Sequence, residues 1–226
     1  MPELRTGDVH VLDLGDGENR FSPSWLAEVS DALDTVAAAP APLVTVGGGK
    51  FYSNGLDVEW MTANGSSAGE YVRDVQALLA RVLTLPVPTV AAVNGHAFGA
   101  GAMLALAHDF RVSRAERGFF CLPEVDIRLP FTPGMAALVQ AKLTPAAAVA
   151  TMTTGRRLGG TEAAALAIVD EATEDFFDRA RARAAELAGK DPGTLGAIKT
   201  TMFGDAAAAL RSAGRPVASM CRPRPV

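Results

Sequence analysis

Apolar positions recur along the chain with two different periods. Val9, Val11, Leu12 and Leu14 form a short run that stops at the turn Gly15-Asp16-Gly17, the pattern of a strand. Trp25, Leu26, Val29, Leu33 and Val36 then recur at helical spacing behind a Ser22-Pro23 start signal, and Pro40 and Pro42 end that helix. Leu43-Val44-Thr45-Val46 is apolar without strict alternation, as expected of a strand covered on both faces. A second helix is expected over about 67–83. Pro88–Val93, Phe110–Ser113 and Phe119–Leu122 read as strands, with Ile168-Val169 as one more short strand. Small residues from Gly99 onward and the segment after Pro192 read as helices. This alternation predicts an α/β fold with a largely parallel sheet and right-handed crossovers.

Composition narrows the picture. The chain has 226 residues, 49% hydrophobic and 20% charged, which is globular rather than disordered. With no repeat and no linker, the expectation is one domain over 1–226: a core to about 190, a helical C-terminal part over about 191–213, and an irregular tail over 214–226. A net charge of −4 and a pI near 5.4 speak against a nucleic-acid partner. The two cysteines, Cys121 and Cys221, exclude a disulfide scaffold and suit a reducing compartment. Neither they nor His10, His96 and His108 show metal-ligand spacing, so no metal is expected. No apolar stretch approaches the ~20 residues of a membrane helix, so no membrane span is expected. The acidic N-terminal segment lacks a signal-peptide core, and Pro-Arg-Pro-Val is not a peroxisomal tripeptide. The expectation is therefore a cytoplasmic protein.

Two segments carry candidate chemistry. The first, Gly47 to Asp57, follows a buried strand and contains Gly47-Gly48-Gly49-Lys50, then Phe51-Tyr52-Ser53-Asn54-Gly55-Leu56-Asp57. A phosphate-binding P-loop needs Ser or Thr after Gly-Lys, and Phe51 stands there instead. Taken alone, this is a glycine-rich surface turn. The second segment is Asn94-Gly95-His96-Ala97-Phe98-Gly99-Ala100-Gly101. Here a strand ends and a helix begins among residues with almost no side chains. The first N–H groups of a helix have no internal partner, and the helix dipole adds positive potential. That combination suits a developing oxyanion; it also suits close packing of a helix on a sheet.

In order and separation, the two segments resemble the crotonase, or enoyl-CoA hydratase/isomerase, superfamily. The likeness extends from Glu18-Asn19-Arg20 to about Asp170. It implies a ClpP/crotonase-like fold of repeated β-β-α units. It also implies an oxyanion hole made by the N–H groups of Leu56 and Ala100, aimed at the thioester oxygen of an acyl-CoA. Ser53, Asn54, Gly55, Gly99 and Met103 would border the substrate, and Arg20 is a candidate contact for a CoA phosphate. CoA is then part of the substrate, with no separate cofactor. The resemblance further implies a homotrimer or a dimer of trimers, with the C-terminal helices near the interface.

Within the superfamily, hydratases resemble one another in carrying two glutamates. At the first of these positions, one turn past Ala100, this chain has Met103, which faces the same way but neither gives nor takes a proton. The second matches Glu124 in Leu122-Pro123-Glu124-Val125. A single glutamate is the pattern of Δ3,Δ2-enoyl-CoA isomerases. The runs His108-Asp109-Phe110, Arg117-Gly118-Phe119 and Glu124-Val125-Asp126-Ile127 also look like the peroxisomal-type isomerases. The resemblance therefore implies an acyl-CoA double-bond isomerase. A hydratase-like enzyme of altered activity and a non-catalytic binding module remain alternatives. Arg128 departs from the pattern: paired with Glu124 it would weaken the base, while pairing with Asp126 would spare it. Asp57, Asp126, His96 and His108 are expected to be structural.

Overall fold

The structure, a computed structural model, describes residues 1–212. In chain order the elements are β1 (Glu3–Arg5), β2 (His10–Asp13), α1 (Pro23–Ala38), β3 (Leu43–Val46), β4 (Phe51–Ser53), α2 (Val58–Ala63) and α3 (Ala68–Leu83). Next come β5 (Thr89–Val93), β6 (His96–Phe98), α4 (Ala100–Ala107), β7 (Phe110–Ser113), β8 (Phe120–Cys121), α5 (Pro133–Lys142) and α6 (Pro145–Met152). The chain continues through α7 (Gly160–Ala165), β9 (Glu171–Ala172), α8 (Phe176–Glu186) and α9 (Pro192–Arg211).

The strands form two sheets. The larger has the order β1-β2-β3-β5-β7-β9, and only β1 runs antiparallel. The smaller, β4-β6-β8, is parallel throughout. Each repeat places one strand in the large sheet, the next in the small sheet, and then a helix: β3-β4-α2/α3, β5-β6-α4, β7-β8-α5. These are the expected β-β-α units. Successive side chains of β5 alternate between two cores, because a strand has period two. Ala91 and Val93 join the main core under α1, α3, α4, α5 and α9. Val90 and Ala92 meet Phe176, Ala180 and Ala184 of α8 on the other face.

The helix starts follow from their capping residues. Ser22, Asp57, Thr132, Thr144 and Asp191 each accept a hydrogen bond from the third backbone N–H beyond them. Pro23, Pro133, Pro145 and Pro192 sit where the missing N–H costs nothing. No described helix is long and apolar enough to cross a membrane.

One strand expectation fails. Ile168 and Val169 are not a strand but a buried bend, in which the N–H groups of both donate to Ala163 O at the end of α7. The edge strand is β9, two residues later, beside β7. The apolar pair marked burial, not pairing. The tail expected over 214–226 lies outside the described residues.

Candidate active site

The candidate site residues follow the C-terminal ends of the small-sheet strands: Leu56 after β4, Ala100 after β6 and Glu124 after β8. Asn94, at the end of β5, ties the two glycine segments together. Its Oδ1 accepts from Gly47 N at 2.9 Å, and its Nδ2 donates to Gly49 O at 2.9 Å and Phe51 O at 3.3 Å. The first segment thus becomes a turn that feeds β4.

Beyond β4 the chain reverses at Gly55, whose φ of +74° favours glycine. A methyl group there would come within 2.7 Å of Phe98 O and 2.8 Å of Ala100 N. At Gly101 it would lie 2.3 Å from Ser53 O. Both positions must be glycine for the turn to touch the start of α4. The turn that leads into Leu56 therefore lies against the N-terminus of α4, where Ala100 N stands. Neither Leu56 N nor Ala100 N donates to a protein acceptor among the described residues.

A scaffold of buried hydrogen bonds fixes this turn. The Ser53 hydroxyl donates to Asn19 O at 2.7 Å and accepts from Gly55 N at 3.0 Å. The Asn19 amide donates to Gly15 O, Phe51 O and Tyr52 O at 3.0, 3.2 and 3.0 Å. Phe21 N donates to Gly55 O at 2.8 Å. Asn19 carries a φ of +50°, which asparagine tolerates better than most residues. The sequence offered no signal for its role beyond an Asn in a turn.

Glu124 reaches the same spot from the loop after β8. Its Oε1 lies 3.5 Å from where a Cβ on Gly99 would stand, one residue before Ala100. The residue is 8% exposed, and its Oε2 is buried without a hydrogen-bond partner. Burial pushes the carboxyl up to about 7. The feared pairing with Arg128 is absent: Arg128 is exposed, with φ +58°, and makes no ion pair among the described residues.

The remaining candidates fall into place unevenly. Met103 is fully buried in the main core. Ser53 spends its side chain inside the scaffold. Asn54 is partly exposed, and its backbone N–H donates to Glu18 O at 2.8 Å. The Arg20 guanidinium is held between Glu18 and Glu59, at 2.5 and 3.3 Å. Its pairing with Glu18 holds the Glu18 carboxyl below the usual range. A phosphate at Arg20 has to displace those partners. Asp57 caps α2 through Trp60 N at 3.0 Å, and Asp57 N donates to the Tyr71 hydroxyl at 2.8 Å, so it serves the turn as expected. His108 is buried between Thr45 Oγ1 at 2.9 Å and Leu104 O at 2.8 Å, a structural role. His96 packs among Phe51, Phe98 and Phe119 on the small sheet.

This fold is that of the crotonases. A Mycobacterium tuberculosis protein, titled a probable enoyl-CoA hydratase in one solved structure, has a TM-score of 0.86 at 27% identity, covering 93% of this chain and 91% of its own. A second structure of it, titled an enoyl-CoA isomerase, gives 0.86 at 26%, covering 97% and 96%. Residues 7–217 match the sequence profile of the family described as Enoyl-CoA hydratase/isomerase, and the chain belongs to that family. Enoyl-CoA delta isomerase 2, peroxisomal, of Arabidopsis thaliana is 40% identical over 182 residues, covering 76% of each chain. Carnitinyl-CoA dehydratase of Salmonella agona is 37% identical over 161 residues, covering 70% of this chain and 60% of its own.

Proposed function

We propose that the protein shifts the double bond of a 3-enoyl-CoA to the 2-position, with Glu124 as its single proton shuttle. The observation that carries this reading is the buried Glu124 carboxylate 3.5 Å from where a Cβ on Gly99 would stand, at the start of α4, with Met103 at the position one turn past Ala100. Glu124 takes a proton from C2. The electron pair moves toward the thioester, and the dienolate oxygen accepts hydrogen bonds from Leu56 N and Ala100 N. The protonated Glu124 then returns the proton at C4, leaving the double bond between C2 and C3. Atoms and charge balance within the substrate and one carboxyl, and no water is consumed. Each oxyanion donor contributes ~3 kcal/mol by analogy with other such sites. A carboxyl that titrates near neutrality both takes and returns a proton readily.

The Arabidopsis isomerase names support this reaction class. The reading includes Gly55 and Gly99 as walls of the thioester site, Arg20 as a phosphate contact that exchanges partners, and a trimeric assembly. The test is turnover of 3-enoyl-CoA followed by product analysis. Expected are formation of 2-enoyl-CoA, loss of turnover in Glu124→Gln, and a kcat/KM that rises as pH passes about 7. Turnover that survives the substitution removes Glu124 from the mechanism. Rapid hydration of 2-enoyl-CoA would instead favour a hydratase. CoA-ester binding without either reaction would favour a binding module.

A further inference from the structure

A cavity of about 380 Å³ opens at the end of the large sheet where β5 and β7 begin. Its walls include Phe110, Leu187, Leu195 and Phe203, and its mouth carries Ile198 and Met202, which are 49% and 65% exposed. At its base stand the ammonium groups of Lys142 and Lys199. Three cations and two carboxylates meet behind this wall, and all but one are paired. Lys199 Nζ lies 2.6 Å from Asp109 Oδ2, and Arg111 Nη2 lies 3.2 Å from Asp170 Oδ2. Lys142 Nζ donates to His108 O at 2.8 Å and sits 4.8 Å from the centre of the Phe203 ring. No carboxylate among the described residues lies within 4.0 Å of it.

A half-buried ammonium facing an apolar cavity is costly unless an anion joins it. Burial and the neighbouring Arg111 charge bring the Lys142 ammonium down to about 8, which is the same cost seen as a shift. Lys142 is the partly buried cation without an ion partner, and a single carboxylate head would match it; Lys190, exposed at the rim, also makes no ion pair among the described residues and adds to the attraction for an anion. At ~30 Å³ per non-hydrogen atom, the cavity holds a body of roughly ten such atoms. We propose that this cavity binds a medium-chain monocarboxylate, its head on Lys142 and its tail along Phe203 and Leu195. The cavity lies away from Glu124, so the proposal stands independently of the reaction assigned above.

Calorimetric titration of the full chain with octanoate tests this. Octanoate is expected to bind saturably, and octan-1-ol, with the same body and no charge, about tenfold or more weaker, as the loss of a charge-assisted hydrogen bond requires. Lys142→Met is expected to weaken octanoate by a similar factor. Ile198→Glu, an exposed substitution at the mouth that leaves the fold intact, sets a carboxylate against the ligand and is expected to weaken it too. Absence of binding, equal binding of octanol, binding that survives both substitutions, or competition by a CoA thioester would overturn the proposal. If Ile198→Glu instead breaks a self-associated form that never bound octanoate, the face belongs to a second copy of the chain and the proposal fails.

Discussion

Gly55 and Glu124 show how much depends on single side chains. Gly55→Ala adds a methyl group where Phe98 O and Ala100 N are less than 3 Å away, at a φ of +74°. The turn must then retreat from α4, taking Leu56 N with it. The expected outcome is a fall in kcat of about a hundredfold or more, with KM changed far less, because the lost interaction belongs to the transition state. Steady-state kinetics with a 3-enoyl-CoA checks this. Such a prediction was only half legible beforehand. The motif spelled out Gly55, Leu56 and Ala100, but not that a glycine Cα would press directly on the helix start. Likewise the Pro-Glu step marked Glu124, while its solvation and the absence of an Arg128 partner depend on chain segments far apart in sequence.

At the level of elements, periodicity missed two of the three small-sheet strands, although the resemblance implied β-β-α units and Phe119–Leu122 read as a strand. β4 and β6 are three residues each, and both read as glycine-flanked turns. Strands so short carry no periodicity, and β4, β6 and β8 exist because they pair with one another. α2 was also unseen: it has six residues, none buried, and relies on its Asp57 cap and the Tyr71 hydroxyl below it. What holds the β4 turn is the buried Asn19 amide. Asn19→Ala leaves the carbonyls of Gly15, Phe51 and Tyr52 short of a donor. It is expected to destabilise the fold by ~3 kcal/mol in urea titration, as unsatisfied buried groups do. Amide hydrogen exchange at Gly55 should accelerate beyond that global change if the amide positions this turn. Equal acceleration throughout the protein would assign Asn19 a general stabilising role only.

Across the whole molecule, two buried groups oppose each other in acid. The Glu124 carboxyl rises from 4.5 to about 7 on folding, so the unfolded chain releases its proton first as pH climbs. Stability from this group is full below 4.5 and lost as pH rises through about 7. Burial lowers His108 from 6.5 to about 4, so its contribution is full above 6.5 and lost as pH falls through about 4. Each amounts to roughly 3 kcal/mol, and over the shared window they largely cancel. The native protein is therefore expected to show a flat Tm across that window. Glu124→Gln removes one slope, so its Tm should exceed the native value at neutral pH and converge on it in acid. A Glu124→Gln protein with an equally flat profile would contradict the burial of both groups.

The chain alone determined the alternation of strands and helices, the helix starts at Ser22, Pro192 and their like, and the pair of glycine motifs with one glutamate. These are local properties: period, capping and backbone freedom are written in neighbouring residues. Tertiary structure decided what is non-local. It set the Ile168-Val169 bend in place of a strand, the pairing of β4, β6 and β8, the ion pairs that occupy Arg20, and the Asn19 scaffold. It also left Lys142 without a carboxylate. Each of these depends on which groups from distant segments share a desolvated space. Burial and partnership, rather than residue type, fix the charge and reach of a side chain.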